Sequence, residues 1–200
     1  CPRLSDVETA VQILEHLGSR CHWQGDSLVV DNSMTCSQVP PDLMREMRSS
    51  IVFLGAIVAR CGQAELCFPG GCELGPRPID LHIEALQKLG VEIEESGGCL
   101  HCQAPEGICG TYISLAFPSV GATENVILAA VCGKGTTVIA NAAREPEIAD
   151  LAAYLNRCGG RIMARERAVS SLTASRNFMA VSTRLCRTAL PLCPIWQPPP

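Results

Sequence analysis

The chain has 200 residues, 47% of them apolar and 18% charged, and a net charge of −4. That apolar content suffices for a core in one domain or two small ones, while the negative balance argues against non-specific nucleic-acid binding and leaves any anionic ligand to a few local arginines. No run of eighteen apolar residues suggests a transmembrane helix, and the chain opens at Cys1 with neither a Met nor a signal-peptide pattern, which reads as a fragment of a cytoplasmic protein.

In chain order, Val7, Ala10, Val11, Leu14 and Leu17 fall on one helical face, with Ser5 and Glu8 spaced as a capping box and Gly18 as the stop. The stretch Cys21 to Val30 then reads as a hairpin. A helix after Pro40-Pro41 is expected to carry Arg48, and Ile51 to Ala59 is apolar on nearly every face, as a buried helix is. The pattern then repeats. Asp80 to Leu89 forms an amphipathic helix stopped by Gly90, followed by a hairpin from Val91 to His101. Asn125 to Val131 forms a second all-round apolar helix, and Pro146 to Cys158 a third amphipathic one stopped by Gly159. The stop glycines are 72 and 69 residues apart (18 to 90, 90 to 159), the signature of related supersecondary units.

Thirteen cysteines invite a disulfide framework, but they are odd in number and scattered through apolar patterns, as at Cys61, Cys67 and Cys132. Most of them are expected to act as small buried hydrophobes in a reduced protein. Cys99-Leu100-His101-Cys102 has metal-ligand spacing but follows the turn signal Ser96-Gly97-Gly98, so it reads as the second strand of a hairpin. His16, His22, His82 and His101 have no ligand partners at useful spacing.

The run Phe68-Pro69-Gly70-Gly71-Cys72-Glu73-Leu74-Gly75-Pro76-Arg77-Pro78-Ile79-Asp80-Leu81-His82 carries the most chemistry. It sets one thiol among glycines, whose backbones take shapes closed to other residues, and puts a guanidinium five residues on. Arg77 favours the thiolate, while Glu73 and any bound phosphate oppose it, so a proton can be held or released near neutral pH.

Together with Pro118-Ser119-Val120-Gly121-Ala122-Thr123-Glu124-Asn125 and Asn141-Ala142-Ala143-Arg144-Glu145-Pro146-Glu147-Ile148, this run resembles the enolpyruvyl-transferase family, in its UDP-N-acetylglucosamine 1-carboxyvinyltransferase branch. The resemblance covers residues 1–162, about two-fifths of a full-length enzyme. It implies an inside-out α/β barrel, in which each of two domains holds three helix-strand-hairpin units with helices buried inside. It also implies transfer of enolpyruvate from phosphoenolpyruvate to the 3′-hydroxyl of UDP-N-acetylglucosamine, by addition and then loss of phosphate. Cys72 is then the general acid that protonates the methylene carbon, and the thiol alkylated by fosfomycin. Arg48, Arg77, Pro78, Ile79, Asp80, Leu81, Ser119, Val120 and Gly121 are implied to bind substrate. Arg77 offers a planar fork to phosphate, Asp80 accepts from uracil or ribose while capping its helix, and the amides of Ser119, Val120 and Gly121 meet nucleotide oxygens at a helix start. Phe117 stands where some members of the family have a lysine. No metal, organic cofactor, nucleic-acid or membrane partner is implied. The sister 3-phosphoshikimate enzymes lack the cysteine loop; a non-catalytic remnant that at most binds nucleotide weakly is the other alternative, since the family's remaining active-site residues are not in this chain.

After Ile162 the pattern stops. Residues 163–200 show no helical or strand period, carry Arg165, Arg167, Arg176, Arg184 and Arg187, and end in three prolines, so a disordered tail is expected. Shifting the reading frame by two nucleotides permits G-A-G-E-S-S-V-I over Met163 to Ser171, H-G-C-E-Y-T-V-M-P-D-R-I from Phe178 to Leu190 and a closing Y-M-A-A-A. Those strings resemble the family's continuation, so the tail reads as a frameshift near codon 163.

Overall fold

The computed structural model describes residues 1–31, 33–47, 49–67, 79–165 and 178–182. Arg48, Cys72, Arg77 and Pro78 lie outside them.

Three units follow one another. The first comprises α1 (Ser5–His16) and a hairpin of β1 (Arg20–Gln24) and β2 (Ser27–Asp31). The second runs through β3 (Gln38–Val39), α2 (Pro41–Glu46), a 3-10 turn (Ser50–Val52), α3 (Phe53–Cys61), β4 (Gln63–Cys67), α4 (Asp80–Lys88), β5 (Glu92–Ser96) and β6 (Cys99–Gln103). The third repeats it with β7 (Tyr112–Ser114), α5 (Val120–Ala130), β8 (Thr136–Ala140), α6 (Pro146–Arg157), β9 (Arg161–Arg165) and β10 (Phe178–Ser182). The two four-stranded sheets have the same wiring, β3-β4-β6-β5 and β7-β8-β10-β9. In each, the first pair is parallel across an apolar helix, and a hairpin then adds antiparallel with its second strand innermost.

The repeat extends to single hydrogen bonds. Gly18, Gly90 and Gly159 hold φ of +105°, +93° and +97°, where a Cβ is disfavoured. The next amide in each case reaches back five residues: Ser19 to the Leu14 carbonyl (2.9 Å), Val91 to Leu86 (3.1 Å) and Gly160 to Leu155 (2.9 Å). Each outer helix therefore ends the same way and delivers the chain to a strand.

The inner helices α3 and α5 are apolar all round because each is buried; Leu54, Ile57, Val126 and Ile127 are fully inaccessible. They cross so closely that a Cβ on Gly55 would collide with the Asn125 carbonyl and side-chain oxygens. An apolar groove of about 730 Å³ opens between α1, α3, α5 and α6, lined by Leu14, Leu17, Phe53, Ile57, Leu128 and Leu155 among others.

Several expectations change. The capping box does not form: the Leu4 carbonyl already accepts the Glu8 amide (3.0 Å), Leu4 is the cap, and the Ser5 hydroxyl turns to Asp6. The helix expected to carry Arg48 ends at Glu46, with Met47 extended. The cysteines are not uniformly buried thiols. Cys61 and Cys132 are exposed, Cys102 and Cys158 are buried, and Cys67 is disulfide-bonded to Cys99. The expected second strand over Cys99 to Cys102 is present as β6. In the expected tail, β9 continues to Arg165, and Phe178–Ser182 forms β10 between β8 and β9. A five-residue strand is too short to register as a period. The rest of the tail lies outside the described residues.

The glycine stops predict an order of substitution effects. Gly159→Ala, with nothing within 4 Å of the new Cβ, costs the left-handed strain alone, about 1–2 kcal/mol. Gly18→Ala costs more, because its Cβ also meets the Thr35 hydroxyl and the Ser33 carbonyl. Urea unfolding of both variants checks the order; equal losses contradict it.

Candidate nucleotide site at two helix starts

The sequence-implied residues within the described segments gather at the first turns of α4 and α5. At α4, the Ile79 carbonyl accepts the His82 and Ile83 amides at 2.9 and 3.1 Å, so Ile79 is the cap and Asp80 the first helical residue. Asp80 therefore does not cap its helix as expected. Its carboxylate is exposed at the positive end of the helix and available as an acceptor. Ile79 is buried, and Leu81 is half-buried against the core, which anchors the turn.

At α5, Ser119 is the cap: its hydroxyl accepts the Ala122 amide at 3.4 Å, and its carbonyl takes the Thr123 hydroxyl at 2.7 Å. The Val120 and Gly121 amides precede these, at the end of the helix where an anion is favoured. Thr123 in turn accepts the Ala143 amide at 3.1 Å, and the Asn141 side chain donates to the Leu115 carbonyl at 3.0 Å. The Asn141-to-Ile148 motif thus braces the start of α5 and begins α6, with the Glu145 carboxylate accepting the Arg144 amide at 2.8 Å. Burial, and then the Glu147 charge, push the Glu124 carboxyl up from its ordinary value. Phe117 is 54% exposed beside the α5 start, so it offers a ring face where a lysine would offer charge.

What joins the two turns is a network absent from the sequence reading. The fully buried Asn125 accepts the Gly55 amide through Oδ1 (2.6 Å) and donates through Nδ2 to the Ile51 carbonyl (3.1 Å) and to His82 Nδ1 (3.0 Å). Because Nδ2 can only donate, His82 Nδ1 must accept, and its proton sits on Nε2. The same ring lies against Gly121, where a Cβ would come within 3.3 Å of Cε1. Burial lowers the His82 pKa to about 4, so the ring is neutral. The signal for this network was one asparagine at the head of the apolar run that ends α5.

The site is therefore a pair of adjacent helix starts with one carboxylate acceptor, suited to a polar, anionic ligand. None of residues 79–81 or 119–121 lines the apolar groove. Among the described residues no group of three His, Cys, Asp or Glu is placed to hold a metal.

Comparison with known proteins gives the same direction. The EPSP synthase (3-phosphoshikimate 1-carboxyvinyltransferase) family model matches residues 1–174. UDP-N-acetylglucosamine 1-carboxyvinyltransferase 2 of Caldanaerobacter subterraneus is 53% identical over 163 residues, 81% of this chain and 39% of that protein. UDP-N-acetylglucosamine 1-carboxyvinyltransferase 1 of Staphylococcus aureus is 46% identical over 164 residues, 80% of this chain and 39% of its own length. Among solved structures, the enolpyruvyl transferase NikO from Streptomyces tendae superposes with a TM-score of 0.71 at 23% identity, over 92% of this chain and 41% of that one. EPSP synthase from Acinetobacter baumannii gives 0.62 at 14% identity, over 91% and 40%; both likenesses concern the fold. The chain spans about two-fifths of the length of its curated relatives, and it belongs to the EPSP synthase family of enolpyruvyl transferases.

The buried histidine predicts a pH dependence. The unfolded chain binds its proton near pH 6.5 and the folded chain only near pH 4. Stability from this group is fully present above pH 6.5 and is lost as the pH falls toward 4, by about 3 kcal/mol in all. His82→Asn, which keeps an acceptor for Asn125 without titrating, flattens that part of the urea-unfolding profile between pH 4 and 7. An unchanged slope contradicts the assignment.

Proposed function

We propose that this member of the enolpyruvyl-transferase family carries one half of a site that transfers enolpyruvate from phosphoenolpyruvate to the 3′-hydroxyl of UDP-N-acetylglucosamine, the first step committed to peptidoglycan synthesis. The observation that carries the reading is the juxtaposition of Asp80 and Leu81 with Val120 and Gly121 through His82 and Asn125. Its support is the 43–53% identity to proteins named for that reaction.

In this reading Asp80 accepts from the uracil or ribose, and the α5 amides meet nucleotide oxygens. Arg48 and Arg77 hold phosphate and sugar-nucleotide oxygens, and Pro78, Ile79, Leu81 and Ser119 shape the surrounding wall. The Cys72 thiol gives its proton to the methylene carbon of phosphoenolpyruvate as the sugar 3′-hydroxyl bonds through its oxygen to the adjacent carbon and releases its own proton to solvent. Loss of phosphate and of one methyl proton then regenerates the enol ether. The second domain of the longer relatives closes over this half and excludes water. The nucleotide-linked substrate places the reaction in the cytoplasm. A 3-phosphoshikimate substrate is the weaker reading, since the EPSP synthase likeness is 14% identical and concerns the fold.

A thermal-shift titration tests the half-site: millimolar UDP-N-acetylglucosamine raises Tm of this chain by a few degrees, equivalent to about 1–3 kcal/mol, while the 200-residue chain alone turns over no phosphoenolpyruvate. No shift at any ligand concentration contradicts the half-site. In a full-length enzyme carrying this segment, fosfomycin labels Cys72 alone; label spread across several of the thirteen cysteines contradicts its special role.

A further inference from the structure

Cys67 closes β4 and Cys99 opens β6, and the antiparallel register places them directly opposite, with their sulfurs bonded. Strand parity decides this pairing. Along β4, Ala64 and Leu66 point into the core while Glu65 and Cys67 alternate outward; along β6, Leu100 and Cys102 point inward while Cys99 and His101 alternate outward. Cys102 is therefore on the wrong face to join either cysteine. Burial pushes its thiol up to about 11, so little thiolate is available to attack a disulfide. The cysteines of the Cys-x-x-Cys run are thus divided between two chemistries, one inert in the core and one paired across the sheet.

The outer face around the pair is polar. The Glu65 carboxylate accepts from Gln38 Nε2 at 2.8 Å and lies 3.8 Å from His101 Nδ1. Cys67 and Cys99 are half-buried at the end of this ladder. The bond closes a loop of 32 residues that contains all of α4, and with it Asp80, Leu81 and His82.

We propose that Cys67 and Cys99 form a thiol–disulfide exchange site that staples β4 to β6 around α4 when oxidised and releases them when reduced. In the forward direction one thiolate attacks a low-molecular-weight disulfide and expels a thiol. The second thiolate then attacks the mixed disulfide, forms the Cys67–Cys99 bond and expels a second thiol. Two electrons pass to the small disulfide, with the two cysteine protons appearing on the released thiols. A dithiol reverses the sequence. In a reducing cytoplasm the pair is open and closes under oxidative load. Oxidation then stiffens the framework of the first α4 turn, a consequence that rests on the nucleotide reading, whereas the staple itself does not.

The test is peptide mapping after alkylation of the 200-residue chain held in glutathione buffers of increasing disulfide-to-thiol ratio, with Tm measured in each. The expected result is a Cys67–Cys99 linked peptide that grows with the ratio and disappears with dithiothreitol, and a Tm about 5–15 °C lower in the reduced chain. The double variant C67S/C99S has the same Tm in both buffers, while C102S keeps the wild-type difference. The proposal is overturned if no such linked peptide forms in excess glutathione disulfide, if Cys67 links equally to several other cysteines, or if the Tm difference survives in C67S/C99S. If the double variant does not fold, the wild-type chain in the two buffers decides by itself. No readout involves nucleotide, so failure of the proposed reaction and failure of the staple are separable.

Discussion

The carboxamide of Asn125 is the constraint on which the rest of the described structure depends. Inside a low-dielectric core an unpaired amide group costs about 1–3 kcal/mol, and Asn125 is fully buried in the middle of α5. It is tolerated because both ends of the carboxamide are hydrogen-bonded, to the Gly55 amide at one end and to the Ile51 carbonyl and the His82 ring at the other. Each partner lies on a different piece of the fold, so satisfying one side chain fixes α3, the turn before it and α4 relative to α5. The glycine at 55 is the steric counterpart, since only a residue without Cβ lets the two inner helices come that near. Networks of this kind are unforgiving when partly satisfied and specific when complete.

That constraint also explains why the candidate site lies where it does. The apolar groove between α1, α3, α5 and α6 is lined by leucine, isoleucine and phenylalanine among others and offers little to a nucleotide. Polarity is instead concentrated where two helices begin, with the amides of their first turns and one exposed carboxylate. His82 holds these two starts side by side from beneath, neutral because it is buried, so it adds no charge of its own to the ligand surface.

Much of this was legible in the chain. The three stop glycines announced their own conformations, because a residue forced to positive φ is chosen by sterics and leaves a mark at fixed spacing. The hairpins at Gln24–Ser27 and Ser96–Cys99 and the all-round apolar α3 and α5 followed from turn chemistry and periodicity. What stayed hidden depended on distant partners. The two-residue β3 and the three-residue β7 exist only as edges for β4 and β8 and have no period of their own. The Leu4 cap replaced the Ser5 box because one backbone bond moved the helix start, a choice that propensity does not resolve. Asn125 and His82 were visible as residues but not as a pair, being 43 positions apart. The Cys67–Cys99 bond was missed for the same reason: cysteine spacing does not give strand register, and register alone put those two thiols opposite each other.

The most direct measurement is a ¹H–¹⁵N NMR titration of the chain with UDP-N-acetylglucosamine. If two helix starts locked together by Asn125 and His82 form the nucleotide half-site, the amides of Asp80, Leu81, Val120 and Gly121 shift together along one saturable curve. The Leu128 and Leu155 amides, lining the apolar groove, stay in place. Shifts confined to the groove, or to only one of the two helix starts, would contradict the account.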